Sequence, residues 1–152
     1  MSVILGIETS CDETGIAVVQ DGISVLANVV SSQIDTHRLF GGVVPEIASR
    51  MHTEIISQLT EQALRAAGIA DKYPPVDAIA ATFGPGLMGS LLVGLSFGRA
   101  LAKAWNIPFV PVHHIEGHLF SAFLGEKRPD FPFLALIVSG GHTQIIQCDK
   151  PH

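Results

Sequence analysis

From Ala78 to Gly98, between Asp77 and Arg99, the chain carries no charged residue, and no other stretch constrains its fold as tightly. A bilayer-spanning helix needs about 20 apolar residues, so the length alone raises that possibility. Gly84-Pro85-Gly86 removes it: proline has no amide hydrogen to continue a helix, and the flanking glycines favour a tight loop. What remains is a buried strand over PVDAIAATF, a turn at GPG, and a mostly apolar helix over LMGSLLVGLSFGRALAKAW whose first charge is Arg99. A helix apolar on most sides needs cover, from the rest of the fold or from another protein.

The flanking segments extend this alternation. Val3 to Ile7 reads as a strand, ETSCDET as a polar turn and GIAVVQ as a second strand. Asp21-Gly22 signals a hairpin leading into ISVLANVVSS, and the three strands make an antiparallel meander. After a polar, Gly-rich loop, PEIASRMHTEIISQLTEQALRAAG reads as a helix. Pro45 suits its first turn, Met51, Ile55, Leu59 and Ala63 recur on one face, and Gly68 stops it. Then follow a strand over IPFVPVHH, a short helix over EGHLFSAFL, a connector KRPDFP, and strand, turn and strand over FLALIVSGGHTQIIQC.

At 152 residues and 47% hydrophobic content the chain can bury one ordinary α/β core. Two cysteines, Cys11 and Cys148, are too few for a disulfide scaffold, and MSVILGIETS lacks the basic start and long apolar core of a signal peptide. The expectation is a cytoplasmic protein with no membrane segment. A net charge of −5 disfavours a protein that grips nucleic acid unaided, because Lys and Arg supply most non-specific affinity for phosphate. A nucleic-acid substrate would need a local basic patch or a basic partner.

Ser10 to Thr14 (SCDET) and Ser139 to Thr143 (SGGHT) share Ser-x-x-x-Thr, each between two apolar strands. Two lobes with such turns facing each other would clamp a phosphate between backbone N–H groups, which is the logic of the actin-like and sugar-kinase-like fold. On this reading residues 1–128 form the first actin-like lobe, and residues 129–152 are a connector and the opening β-hairpin of a second lobe whose remainder is missing. A complete small domain ending in a hairpin is the alternative.

VPVHHIEGHLF places three histidines and a glutamate within six residues of a chain with only 15% charged residues. His114 and His118, four apart, share a face if they lie on one helical turn, and two imidazoles with a carboxylate from elsewhere would suit zinc or non-haem iron. A hydrogen-bonded cluster at a strand end is the other reading. Zinc-protease patterns need glutamate directly after the first histidine, or directly before the second in the inverted form. Glu116 sits in the middle, which disfavours a protease. His113 reads as structural, while His37 and His52 could equally be ordinary surface residues. His142 lies in a turn suited to contacting a ligand. Asp12 and Glu13 are candidates for orienting a metal, water or phosphate.

Taken in order, GIETSCDETGIA, GGVVPEIASRMH, ATFGPGLMGSLLVG, VHHIEGH and IVSGGHT resemble the TsaD family, formerly called glycoprotease or O-sialoglycoprotein endopeptidase. The resemblance implies a two-lobed actin-like (ASKHA) fold. It implies an acyltransferase that moves the threonylcarbamoyl group from threonylcarbamoyl-adenylate to N6 of adenosine 37 in tRNAs reading codons that begin with A, the t6A modification, releasing AMP. By motif, His114 and His118 are similar to the family's two histidine ligands to one divalent iron or zinc ion, with a third, aspartate ligand expected in an absent C-terminal portion. Val138, Ser139, Gly140, Gly141 and His142 are similar to its substrate-binding loop, which also suits an adenine nucleotide. Implied partners are tRNA, a TsaB-like paralogue docked on the first-lobe helices at Glu46 to Ala67 and Leu87 to Trp105, and a TsaE-like ATPase. As a fragment the chain is expected to be inactive alone. A small-molecule kinase of the same fold class and a noncatalytic TsaB-like scaffold are the rival readings.

Overall fold

The structure is a computed structural model that describes residues 1–124, 128–139 and 143–150. Its centre is β1 (Val3–Glu8), where the period of two sends Leu5 and Ile7 to one face and Gly6 and Glu8 to the other. β2 (Glu13–Gln20) pairs antiparallel with β1 and sends Thr14, Ile16 and Val18 to the same buried face. The connection to β3 (Ser24–Ser32) turns at Asp21 and Gly22, with φ of 53° and 69°. Two successive left-handed residues match the right-handed twist of the flanking strands, which is why Asp-Gly marks this hairpin. The meander expected from the sequence is present.

β4 (Ala78–Gly84) and β5 (Phe109–His113) add in parallel on the other side of β1, giving the order β3-β2-β1-β4-β5. β1, β4 and β5 therefore end at the same sheet edge. In an open α/β sheet the crevice beyond those carboxyl ends is where ligands bind.

Two long helices, α2 (Pro45–Ala66) and α3 (Met88–Trp105), pack together on one face of the sheet. The core between helices and strands includes Leu5, Ile16, Val18, Ile56, Leu59, Ala63 and Ile79. Each large aliphatic side chain fully buried there contributes on the order of 1.5–3 kcal/mol. α3 comes close to the sheet because glycine faces it: a Cβ on Gly94 would clash with Thr9 Oγ1, just past β1, and one on Gly98 would lie 3.0 Å from the Phe109 ring of β5. Its opposite side is not covered. Met88 and Leu92 are 76% and 54% exposed.

The buried line of α2 runs through Ala48, His52, Ile56, Leu59 and Ala63, with Met51 and Ile55 half-buried at its margin. The expected face is thus rotated slightly, toward a histidine. Of the readings open for His37 and His52, the surface one does not hold: they are 3% and 0% exposed. Both are accommodated because every ring nitrogen finds a hydrogen-bond partner inside the fold, which removes the usual cost of burying a polar group. His37 lies on α1 (Ile34–Arg38), a single short helix within what reads from the sequence as loop.

α4 (His114–Ser121) starts one residue after β5. The hairpin of β6 (Phe133–Val138) and β7 (Thr143–Cys148) forms a separate two-stranded antiparallel sheet. Phe123, just past α4, contacts Phe131 and Phe133 at its entrance. Among the described residues no helix is long and apolar enough to cross a membrane.

Candidate functional site

The carboxyl ends of β1, β4 and β5 meet the first turn of α4. β5 delivers His113, whose Nδ1 accepts from the Ile115 amide at 3.3 Å and so caps the helix. The structural role expected for His113 is this cap. With the helix started there, His114 and His118 fall one turn apart on the same side, and their rings meet edge to face with centroids 4.5 Å apart.

Glu8, at the end of β1, sets the chemistry of the pair. Its Oε2 lies 3.2 Å from His114 Nδ1 and accepts from the Thr82 hydroxyl of β4 at 2.5 Å, while Oε1 accepts from the Ser10 amide at 2.5 Å. Burial acts to raise the Glu8 pKa, but the hydrogen bonds from Ser10, Thr82 and His114 outweigh it and hold the carboxyl below its ordinary value. An ionised carboxylate has no hydrogen to give, so His114 Nδ1 carries one and donates it. Ser10 Oγ, 3.3 Å away, faces the same nitrogen.

In the neutral ring this leaves His114 Nε2 as the bare nitrogen, and it lies 3.1 Å from His118 Nε2. Two nitrogens bound to one ion at about 2.0–2.1 Å stand roughly 2.9–3.4 Å apart for angles between right and tetrahedral. The observed separation fits that range. A histidine that ligates through one nitrogen and donates from the other to a carboxylate is the usual arrangement around protein-bound metals. The donor set therefore suits a divalent ion of the zinc or iron type at two positions. Among the described residues no group of three His, Cys, Asp or Glu side chains converges to complete a site.

Glu8, Glu13, Thr82, His114 and His118 line one hollow of about 450 Å³ that extends over Gly6, Gly15, Ala17 and Ala80 on the sheet face opposite α2 and α3. Of the acidic turn residues, Glu13 reaches this hollow. Asp12 does not line it, and its carbonyl instead accepts from the Gln33 amide at 3.0 Å. Val138 closes β6 against Thr143 and is 70% exposed, and Ser139 is half-buried beyond it. Neither lines the hollow. Gly140, Gly141 and His142, the rest of the expected substrate loop, lie outside the described residues.

Cys11 sits in the turn without nucleophilic character. Partial burial first, and then Asp12 beside it, push its thiol up to about 11, so at neutral pH it is protonated.

Sequence reading missed Glu8 and Thr82 as site residues, and took Gly86 only as part of a tight loop. A Cβ on Gly86 would come 2.5 Å from the Ser10 carbonyl, and the Leu87 amide donates to that carbonyl at 2.7 Å, so the GPG loop closes onto the hydroxyl turn. The available signal was a carboxylate ending an apolar strand, ahead of a turn containing serine and threonine.

The family model described as TsaD, tRNA N6-adenosine threonylcarbamoyltransferase, matches residues 24–152. The chain belongs to the TsaD family. The family is thus described by a transferase activity on tRNA, and the matched residues include the histidine pair.

The TsaD-family chain is also similar to solved structures. With YeaZ from Pseudomonas aeruginosa it shares 22% identity and a TM-score of 0.53, over 74% of this chain and 45% of that one. With an uncharacterized protein described as similar to peptidase YEAZ from Pseudomonas aeruginosa, the figures are 20% and 0.58, over 96% of this chain and 64% of that one. The chain spans less than two-thirds of the length of either. At these identities the likeness shows the fold alone, an actin-like α/β fold of the ASKHA type with a five-stranded sheet.

Proposed function

We propose that this chain is part of an enzyme that transfers the threonylcarbamoyl group from threonylcarbamoyl-adenylate to N6 of adenosine 37 in tRNAs reading codons that begin with A. The observation that carries the proposal is the line Glu8, His114, His118. A carboxylate fixes one imidazole so that its outer nitrogen faces a second at 3.1 Å, inside a chain of the TsaD family.

In this reading His114 and His118 hold one divalent iron or zinc ion, and the remaining ligands, an aspartate among them, come from outside the described residues. When bound, the ion supplies Lewis acidity toward the threonylcarbamoyl carbonyl. Glu8 keeps His114 in the tautomer that leaves Nε2 unprotonated, and Ser10 and Thr82 keep Glu8 ionised. Backbone N–H groups around Ser139 to Gly141 would hold the threonylcarbamoyl or phosphate oxygens, in the manner of other oxyanion sites. Glu13, which lines the hollow, orients metal, water or phosphate there, with Asp12 beside it in the same turn. The carbamoyl C–O bond to AMP breaks as the C–N bond to the adenosine amine forms, and the amine's proton leaves to solvent or a carboxylate.

Partners follow from charge and from the uncovered helix side. Met88 and Leu92 form an apolar strip on α3 that suits a TsaB-like paralogue, with a TsaE-like ATPase joining the assembly in the cytoplasm. A partner with basic surface would offset the −5 charge of this chain toward tRNA.

The test is a reconstituted reaction with the complete protein, its partners, labelled threonylcarbamoyl-adenylate and tRNA transcripts. Transfer to a transcript with A at position 37, absent with G there and absent in His118→Ala, is the expected result. Label transfer undiminished in His118→Ala would remove the histidine pair from the reaction. ATP-dependent phosphorylation of a small molecule instead would move the chain to the kinases of the same fold.

A further inference from the structure

Three buried side chains outside the hollow, His37, Gln33 and His52, form a hydrogen-bond chain whose direction is fixed at both ends. The Cys11 carbonyl can only accept, so His52 Nε2, 3.0 Å away, carries the ring's hydrogen. His52 Nδ1 is therefore bare. It accepts from the Thr14 hydroxyl at 2.7 Å and faces the Gln33 amide nitrogen at 3.4 Å. That nitrogen also donates to the Ala48 carbonyl at 3.3 Å, which orients the Gln33 amide and leaves its Oε1 to accept from His37 Nε2 at 2.9 Å. With Nε2 donating, His37 Nδ1 accepts from the Val44 amide at 3.3 Å. Each polar atom in the series has one consistent role. Gln33 and His37 are both 3% exposed, and His52 and Thr14 are 0% exposed.

The series ends on a turn rather than in the core. Cys11 lies between Ser10, whose Oγ faces His114 Nδ1, and Asp12, whose carbonyl accepts from the Gln33 amide. That turn is gripped from three elements: by Leu87 of the GPG loop through Ser10, by Gln33 ahead of α1 through Asp12, and by His52 of α2 through Cys11. The His52 contact is the one made by a side chain with only one hydrogen-bonding alternative.

We propose that His52 is a positioning residue: by holding the Cys11 carbonyl it fixes the Ser10 to Glu13 turn and, through Ser10, the placement of the His114 ring. The proposal deepens the reading of His114 and His118 as a ligand pair and rests on it for its functional meaning.

Nitrogen-15 spectra of the histidine rings test it without a metal. Long-range proton–nitrogen correlation distinguishes the two neutral tautomers, and His37 and His52 are both expected with the hydrogen on Nε2. A hydrogen on His52 Nδ1 would overturn the proposal, since that ring cannot donate to Cys11. His114, which lies outside the hydrogen-bond series, is then the reporter for two variants. His52→Gln keeps an amide donor near the Nε2 position, whereas His52→Asn keeps an acceptor near Nδ1 and offers Cys11 nothing. The His114 nitrogen shifts should move in His52→Asn and stay near wild type in His52→Gln. Equal movement in both, or movement in neither, contradicts a positioning role, the former being what a general loss of packing produces. Zinc titrated afterwards into the complete wild-type protein separates the two ideas: failure to shift the Nε2 signals of His114 and His118 removes the ligand pair and leaves the tautomer result standing.

Discussion

Glu8 Oε2 and His114 Nδ1 stand 3.2 Å apart although 106 residues separate them in sequence. The contact closes the strand that begins the fold onto the helix that begins the hollow's far wall. It makes Glu8 the residue that decides which nitrogen of His114 is free. Replacing Glu8 with Gln retains the shape and removes the charge. Metal affinity of the complete protein should fall about 10- to 100-fold, the usual effect of losing a carboxylate behind a histidine ligand, with little change in the far-ultraviolet circular dichroism. Isothermal titration with zinc checks this, and unchanged affinity would show that Glu8 does not govern the ring.

Gly94 allows α3 to lie on the end of β1. A methyl group there clashes with Thr9 Oγ1, and Thr9 makes two buried hydrogen bonds, donating to the Ser90 carbonyl and accepting from the Gly94 amide. Thr9 cannot retreat without breaking both. Gly94→Ala should therefore destabilise by about 1–3 kcal/mol despite alanine's better helix propensity, read as a lower midpoint in urea. A midpoint equal to or above wild type would contradict the close seating.

His52 gives the fold a pH dependence of known sign. Burial lowers its pKa, and the Cys11 carbonyl together with Glu8 and Asp12 offsets only part of that effect. As pH falls from about 6.5 the unfolded chain takes up the proton first. Stability from the neutral ring is thus complete above about pH 6.5 and is lost as pH falls through the lower, folded-state value. Glu8, held below the ordinary carboxylate range, contributes its own loss only further down. Melting temperatures measured between about pH 7.5 and 5 should drop more steeply for wild type than for His52→Gln. Parallel curves would sink the assignment.

What was legible in the sequence is what is local. The meander, the two long helices and the broken apolar stretch are written in local periodicity and in Asp21-Gly22 and Gly84-Pro85-Gly86, so they read correctly. His114 and His118 are also local, four apart on one helix. Glu8 and His52 were not legible, because their roles depend on partners far away in sequence: Thr82 and His114 for the one, Cys11 and Thr14 for the other. Periodicity treats histidine as polar and puts it outside, whereas hydrogen bonding brought His37 and His52 in. α1 was missed because five residues hold too little pattern to stand apart from a loop.

Met88 and Leu92 provide a surface prediction. They are 76% and 54% exposed, so Met88→Glu and Leu92→Glu should change stability by no more than about 0.5 kcal/mol. In a pull-down with a TsaB-like paralogue, both should abolish capture if this side of α3 is the docking strip. Undiminished capture by the doubly substituted protein would place the partner elsewhere.

The central claim is tested most directly in cells depleted of the gene. Nucleoside mass spectrometry of their bulk tRNA should show loss of threonylcarbamoyladenosine, restored by the complete wild-type gene and not by its His118→Ala form. An unchanged level of the modified nucleoside in depleted cells with no second copy of the gene would contradict the transferase account.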